Sequence, residues 1–132
     1  MNRTKLLLLV LVTLIPMIVN ADPVEIDGIY YNLISKGNIA EVTRNPSVSY
    51  YTGSYSGEVV IPESITYEEE VYNVASIAST AFYNCKSLTS VTIPSSVTSI
   101  GNNAFGNCSV LASVIIPNNV TSIGDNLNYL NE

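Results

Sequence analysis

Apolar and polar positions change rhythm along this chain of 132 residues. Residues 6–19 form an apolar stretch behind Arg3 and Lys5. From residue 27 the pattern shortens. Ile29, Tyr30, Tyr31, Leu33 and Ile34 predict a strand over 27–34, the Ser35–Lys36–Gly37–Asn38 stretch a turn, and 39–43 its hairpin partner. A loop rich in Tyr and Ser follows over 45–55. Val59, Val60, Ile61 and Pro62 then give a short strand ended by proline, which has no N–H for a ladder. Tyr67, Glu68, Glu69, Glu70, Val71 and Tyr72 suggest a hairpin with an acidic tip.

From Ile77 the pattern becomes periodic. Residues 77–99 align with 100–122, and 13 of the 23 columns are identical. A third copy begins at Ile123 and Gly124. Most shared columns are apolar: Ile77/Ile100, Ala81/Ala104, Phe82/Phe105, Cys85/Cys108, Leu88/Leu111, Val91/Val114, Ile93/Ile116 and Val97/Val120. The columns that vary, such as Thr80/Asn103 and Ser95/Asn118, are mostly polar. A 23-residue unit cannot bury its own apolar edge, so each coil must lie on the next.

Within a unit, Leu88, Val91 and Ile93 keep the L-x-x-L-x-L spacing of a leucine-rich repeat. Val91 and Ile93 point one way along a strand and Thr92 the other. Pro94 ends it, Val97 and Ile100 make a second apolar edge, and Gly101 suits a tight turn. Ala81, Phe82 and Cys85 suggest one short helical turn packed inward. Residues 62–77 are nine longer than the matching 94–100 segment, so the acidic hairpin reads as an insertion in the first turn. The fold class is therefore a repeat solenoid of the leucine-rich-repeat type, mostly β, behind an N-terminal β-hairpin cap. The expected divisions are 1–21 signal peptide, 22–56 cap and 57–132 solenoid with an incomplete last repeat.

The stretch LTSVTIPSSVTSIGNNAFGNC, residues 88–108, closely resembles the BspA-type leucine-rich repeat. The resemblance covers roughly 59–124, and an IDGIYYNL-like strand before a VVIP strand is also similar to such proteins. It implies a right-handed solenoid, exported or surface-borne, of the kind found in host-associated anaerobic bacteria and some protists. It also implies adhesion or binding as the role. In the third copy Leu127, Asn128 and Asn131 stand where Ala104, Phe105 and Cys108 stood, so the repeat decays.

The opening residues change the picture of where the chain works. A basic start, a 14-residue apolar stretch and Val19–Asn20–Ala21 have the form of a signal peptide cleaved near Ala21. The stretch is shorter than the roughly 20 residues a membrane span needs. Eleven acidic residues against five basic give a net charge of −6. Nucleic acid is thereby an unsuitable partner. The chain has no histidine, so it lacks a Ser-His-Asp triad, a Cys-His dyad and any His-bearing zinc site.

Candidate chemistry is sparse. Cys85 and Cys108 lie one period apart, at about the strand spacing of 4.8 Å, and are read as either a buried thiol pair or a disulfide. Glu68, Glu69 and Glu70 can be a cation site or a solvated tip, and adjacent carboxylates diverge. Between 77 and 126 the only charged residues are Lys86 and Asp125, which leaves a hydrolase without an acid–base pair. Tyr50, Tyr51, Tyr55, Tyr67 and Tyr72 serve either cap packing or a binding surface. Ser90, Thr92, Ser113 and Ile115 are the outward strand positions where a ligand would meet the repeats. Asn107 and Asn119 head glycosylation sequons that matter only in a eukaryotic host. The resulting expectation is a non-catalytic, cofactor-free binding module for a protein or glycan at a cell surface. Its binding set is Ser90, Thr92, Ser113, Ile115, Tyr67 and Tyr72. The competing expectation is a structural remnant or spacer without a ligand.

Overall fold

The computed structural model describes residues 22–126. The expected signal peptide and the decayed positions Leu127, Asn128 and Asn131 lie outside them. Nine strands run in order: β1 (Val24–Ile26), β2 (Ile29–Ile34), β3 (Ile39–Thr43), β4 (Ser56–Val60), β5 (Ser64–Tyr67), β6 (Glu70–Ile77), β7 (Ser87–Thr92), β8 (Ser99–Ile100) and β9 (Ser122–Ile123). One sheet has the order β1-β2-β3-β6-β8-β9, with β5 on β6; the other pairs β4 with β7.

The period survives as register. Ile77 pairs with Ile100 and Ile100 with Ile123, all parallel. In the second sheet Val59 pairs with Val91 and Val60 with Thr92, and Thr92 bridges to Ile115. Phe82 N–H donates to Ala104 O, and Asn84 N–H to Gly106 O, so the turn segments stack as well. Side chains from both sheets and the turns merge into one core that includes Val42, Val74, Ile77, Leu88, Val91 and Ile100. The expected solenoid columns are therefore present in the fold.

Three local readings are corrected. The strand expected over 27–34 begins only at Ile29, as β2; Asp27–Gly28 is a turn that joins it to β1, a strand the sequence reading did not include. Both turn residues have positive φ, 50° and 80°, the type I′ geometry that Asp-Gly favours. The Ala81–Phe82–Cys85 segment is a run of turns, with Ala81 N–H on Ala78 O and Tyr83 N–H on Thr80 O. Thr80 and Asn84 sit at φ 60° and 59°, and left-handed residues cannot propagate a right-handed helix. That also accounts for the Asn84/Asn107 column, since Asn tolerates this conformation and Asn107 has φ 58°. Gly101 is needed for closeness rather than for φ: a Cβ there would lie 2.3 Å from Ser79 N on the preceding coil.

The cap is more than a hairpin. β2 and β3 pair antiparallel as expected, and β3 then pairs parallel with β6, so the cap extends the solenoid sheet. Loop 45–55 closes over the first coil. Asn84 Nδ2 donates to Tyr50 O at 3.2 Å, and Gly53 has no room for a side chain against the Asn84 carbonyl. Tyr55 is buried; its hydroxyl donates to Thr43 O and accepts from Tyr30 N–H at 3.1 Å. Its ring lies 4.7 Å from Phe82, which stacks on Phe105 at 5.1 Å with the planes 12° apart. One aromatic file thus joins the cap to two successive coils.

Candidate functional site

The second sheet positions the outward residues. Val59 and Ile61 of the first coil and Val91 and Ile93 of the next point into the core. Strand alternation sends the residues between them to solvent. Val60 and Thr92 are therefore neighbours on the outer face, and Ile115 follows through its bridge to Thr92. Val60 is 66% exposed and Ile115 83%. Ser90 stands opposite Glu58 and is half-buried, while Ser113 is exposed two positions before Ile115. Four of the six expected binding residues thus share one face. Val60 was missing from that set. The match of Val60–Ile61–Pro62 to Thr92–Ile93–Pro94 carried the signal, because it places Val60 in the Thr92 column.

Tyr67 and Tyr72 do not join this face. They lie on β5 and β6 of the other sheet, where Tyr67 pairs with Glu70 and Ile65 with Tyr72. Both are half-buried, and Tyr72 packs against the core. The hairpin itself forms as expected, with Glu68 and Glu69 as its two-residue turn at φ 48° and 68°. Among the described residues no group of three or more His, Cys, Asp or Glu side chains is placed to hold a metal ion.

The remaining tyrosines divide. Tyr55 belongs to the core. Tyr50 stacks on Tyr83 at 4.6 Å, with the Arg44 guanidinium 5.0 Å from its ring. Tyr51 meets Tyr50 edge-on and is 80% exposed. Asn107 Nδ2 donates to the Tyr83 hydroxyl at 3.1 Å, and Asn119 Nδ2 to Ser95 O at 2.8 Å, so both sequon amides tie adjacent coils together.

Cys85 and Cys108 are buried free thiols. The Cys108 thiol lies 3.0 Å from Phe82 O. Its hydrogen bond to Cys85, helped by burial, raises the Cys108 pKa. The same bond lowers that of Cys85, against the opposing effect of burial. No general base stands by either sulfur among these partners. The arrangement offers a rigid surface to bind with and a packed interior.

The family model described as "BspA type Leucine rich repeat region (6 copies)" matches residues 45–130. A leucine-rich cell surface protein of Faecalibacterium prausnitzii is 31% identical, with a TM-score of 0.62 over 81% of this chain and 27% of that one. A leucine-rich repeat protein of Bacteroides capillosus is 30% identical, with a TM-score of 0.64 over 80% of this chain and 72% of that one. The leucine-rich repeat protein of T. pallidum is 29% identical, with a TM-score of 0.58 over 77% of this chain and 42% of that one. No curated protein matches the chain. Among the described residues no helix is long and apolar enough to cross a membrane. In-register coils, the 23-residue columns and a model match across most of the sequence all point the same way: the chain belongs to the BspA-type leucine-rich repeat family, whose repeats are generally non-catalytic binding modules.

Proposed function

We propose that this chain is an exported or surface-borne binding module that engages a protein or glycan at a cell surface through the outer face of its second sheet. The observation that carries this reading is the Val60–Thr92–Ile115 column. Two large apolar side chains stand in water on either side of a hydroxyl, on a backbone held by ladder hydrogen bonds. Single exposed apolar residues are ordinary, but an aligned row on a rigid face suits recognition. Ser90 and Ser113 supply hydroxyls beside it. Export rests on the signal-peptide form of residues 1–21.

The test is binding of the secreted chain to immobilised matrix proteins and to a glycan array. Ile115→Asp and Thr92→Lys should each weaken any hit at least tenfold while the melting curve stays within about 2 °C. An empty screen with folded protein would replace this reading with the spacer.

A further inference from the structure

A groove of about 430 Å3 lies where the cap meets the first coil. It is lined by Asp27, Ile29 and Tyr31 of the cap and by Val60, Pro62 and Ile65 beyond it. Its volume is within the range of ligand sites. Three independent features converge on it.

The first is an unused strand edge. β4 pairs only with β7 among the described strands. Ile61 N–H donates to Thr92 O, so the ladder takes the backbone groups of alternate residues. The N–H and C=O of Glu58 and Val60 then point to the opposite edge. Such an edge is a template for another extended chain.

The second is a polar group without a partner. Tyr31 is 1% exposed and its hydroxyl makes no hydrogen bond. A buried phenol in that state costs stability without structural return, a pattern expected where function sets the residue.

The third is charge. Asp27 stands in the groove and Glu58 lies on β4 itself. The whole chain carries −6. A second copy would bring like charge to like, whereas a basic segment is complementary.

We propose that this groove binds an extended, lysine- or arginine-bearing peptide segment of another protein, which adds as a new edge strand beside β4. Its backbone would pair with Glu58 and Val60, an apolar side chain would lie on Ile29, Pro62 and Ile65, and a cation would meet Asp27. For a peptide carbonyl to accept from the Tyr31 hydroxyl, the side chains covering it would have to shift on binding. This is peptide recognition by strand addition; it shares Val60 with the outer-face reading, through the backbone here and the side chain there, and Asp27 is the residue that tells the two sites apart.

The experiment is an NMR titration of the 15N-labelled full chain with the peptide Thr-Val-Lys-Val-Thr-Lys-Val, paired with fluorescence anisotropy. The expected result is saturable shifts at the Asp27, Glu58 and Val60 amides. Replacing both lysines by Glu should weaken binding at least tenfold. Asp27→Asn keeps the left-handed turn, which Asn tolerates, and should weaken binding about threefold. Val60→Pro removes an edge donor but no ladder bond, and should weaken it about tenfold or more. Tyr31→Phe should also weaken it. No saturable shift at those amides, or unchanged affinity in both Asp27→Asn and Val60→Pro, overturns the proposal. Shifts confined to Thr92 and Ile115 overturn it too, and support the outer-face site instead.

Discussion

Phe82→Ala tests the stacked-coil architecture most directly. Phe82 is fully buried, with Tyr55 on one side at 4.7 Å and Phe105 on the other at 5.1 Å. Truncating a buried Phe costs about 3–5 kcal/mol, as lost transfer energy plus a cavity. Each aromatic contact adds about 0.5–1.5 kcal/mol beyond area. Phe82 loses two such contacts and sits between cap and coil, where little can collapse, so about 4–5 kcal/mol is expected. Phe105→Ala loses only the Phe82 ring among the described residues and should cost about 1 kcal/mol less, within the same 3–5 range. At roughly 4 °C per kcal/mol for a domain of this size, Phe82→Ala should melt about 15–20 °C lower. Circular dichroism and urea titration read both quantities. The double variant should fall short of the sum by about 1 kcal/mol, because the rings touch. A Phe82→Ala melt within 2 °C of the parent, or full additivity in the double variant, would falsify the continuous aromatic file.

Other predictions rest on backbone strain, ionisation and sulfur. Thr80 holds φ 60°, a costly conformation for a β-branched residue, where the next coil has Asn103 at 52°. Thr80→Asn should therefore stabilise by about 1 kcal/mol, and Thr80→Val should not. Glu68 and Glu69 occupy a type I′ turn, so the pair Asn-Gly in their place should add about 1–2 kcal/mol by urea titration. Burial, and secondarily Asp27, push Tyr31 from 10.0 up to about 12, and burial also raises Tyr55. Between pH 10 and 12 the unfolded chain loses protons that the folded chain keeps, so stability is full below pH 10 and falls as pH rises through this window. Tyr31→Phe should reduce that fall and, by removing an orphaned hydroxyl, stabilise at pH 7 by about 1 kcal/mol. Ellman's reagent should find no fast-reacting thiol in the native chain and both Cys85 and Cys108 in guanidinium; silence in denaturant would show a disulfide.

The amino-acid sequence by itself determined the period, and with it the stacking of Ile77 on Ile100, Phe82 on Phe105 and Cys85 on Cys108. Identical columns of apolar residues have no other way to leave water together. It also determined the β2–β3 and β5–β6 hairpins, whose signals are local. The I′ turn at Asp27–Gly28 was equally local, but the expected strand was started on the two turn residues themselves. Left-handed φ at Thr80 and Asn84 was not visible in the apolar spacing, which is why turns stand where a helical turn was expected. Tertiary structure alone decided the rest. Residues 39–42 of β3 pair with 73–77 of β6 across more than thirty positions, and nothing in either segment specifies the other. Loop 45–55 reads in sequence only as a loop rich in Tyr and Ser, with cap packing and binding both open for its tyrosines; the fold decides that Tyr55 and Gly53 close the first coil, because the core end needs a cover. Tyr67 and Tyr72 went to a different sheet from Ser90 and Thr92 for the same reason: face and neighbour are properties of the assembled coils, and residue type constrains them only weakly.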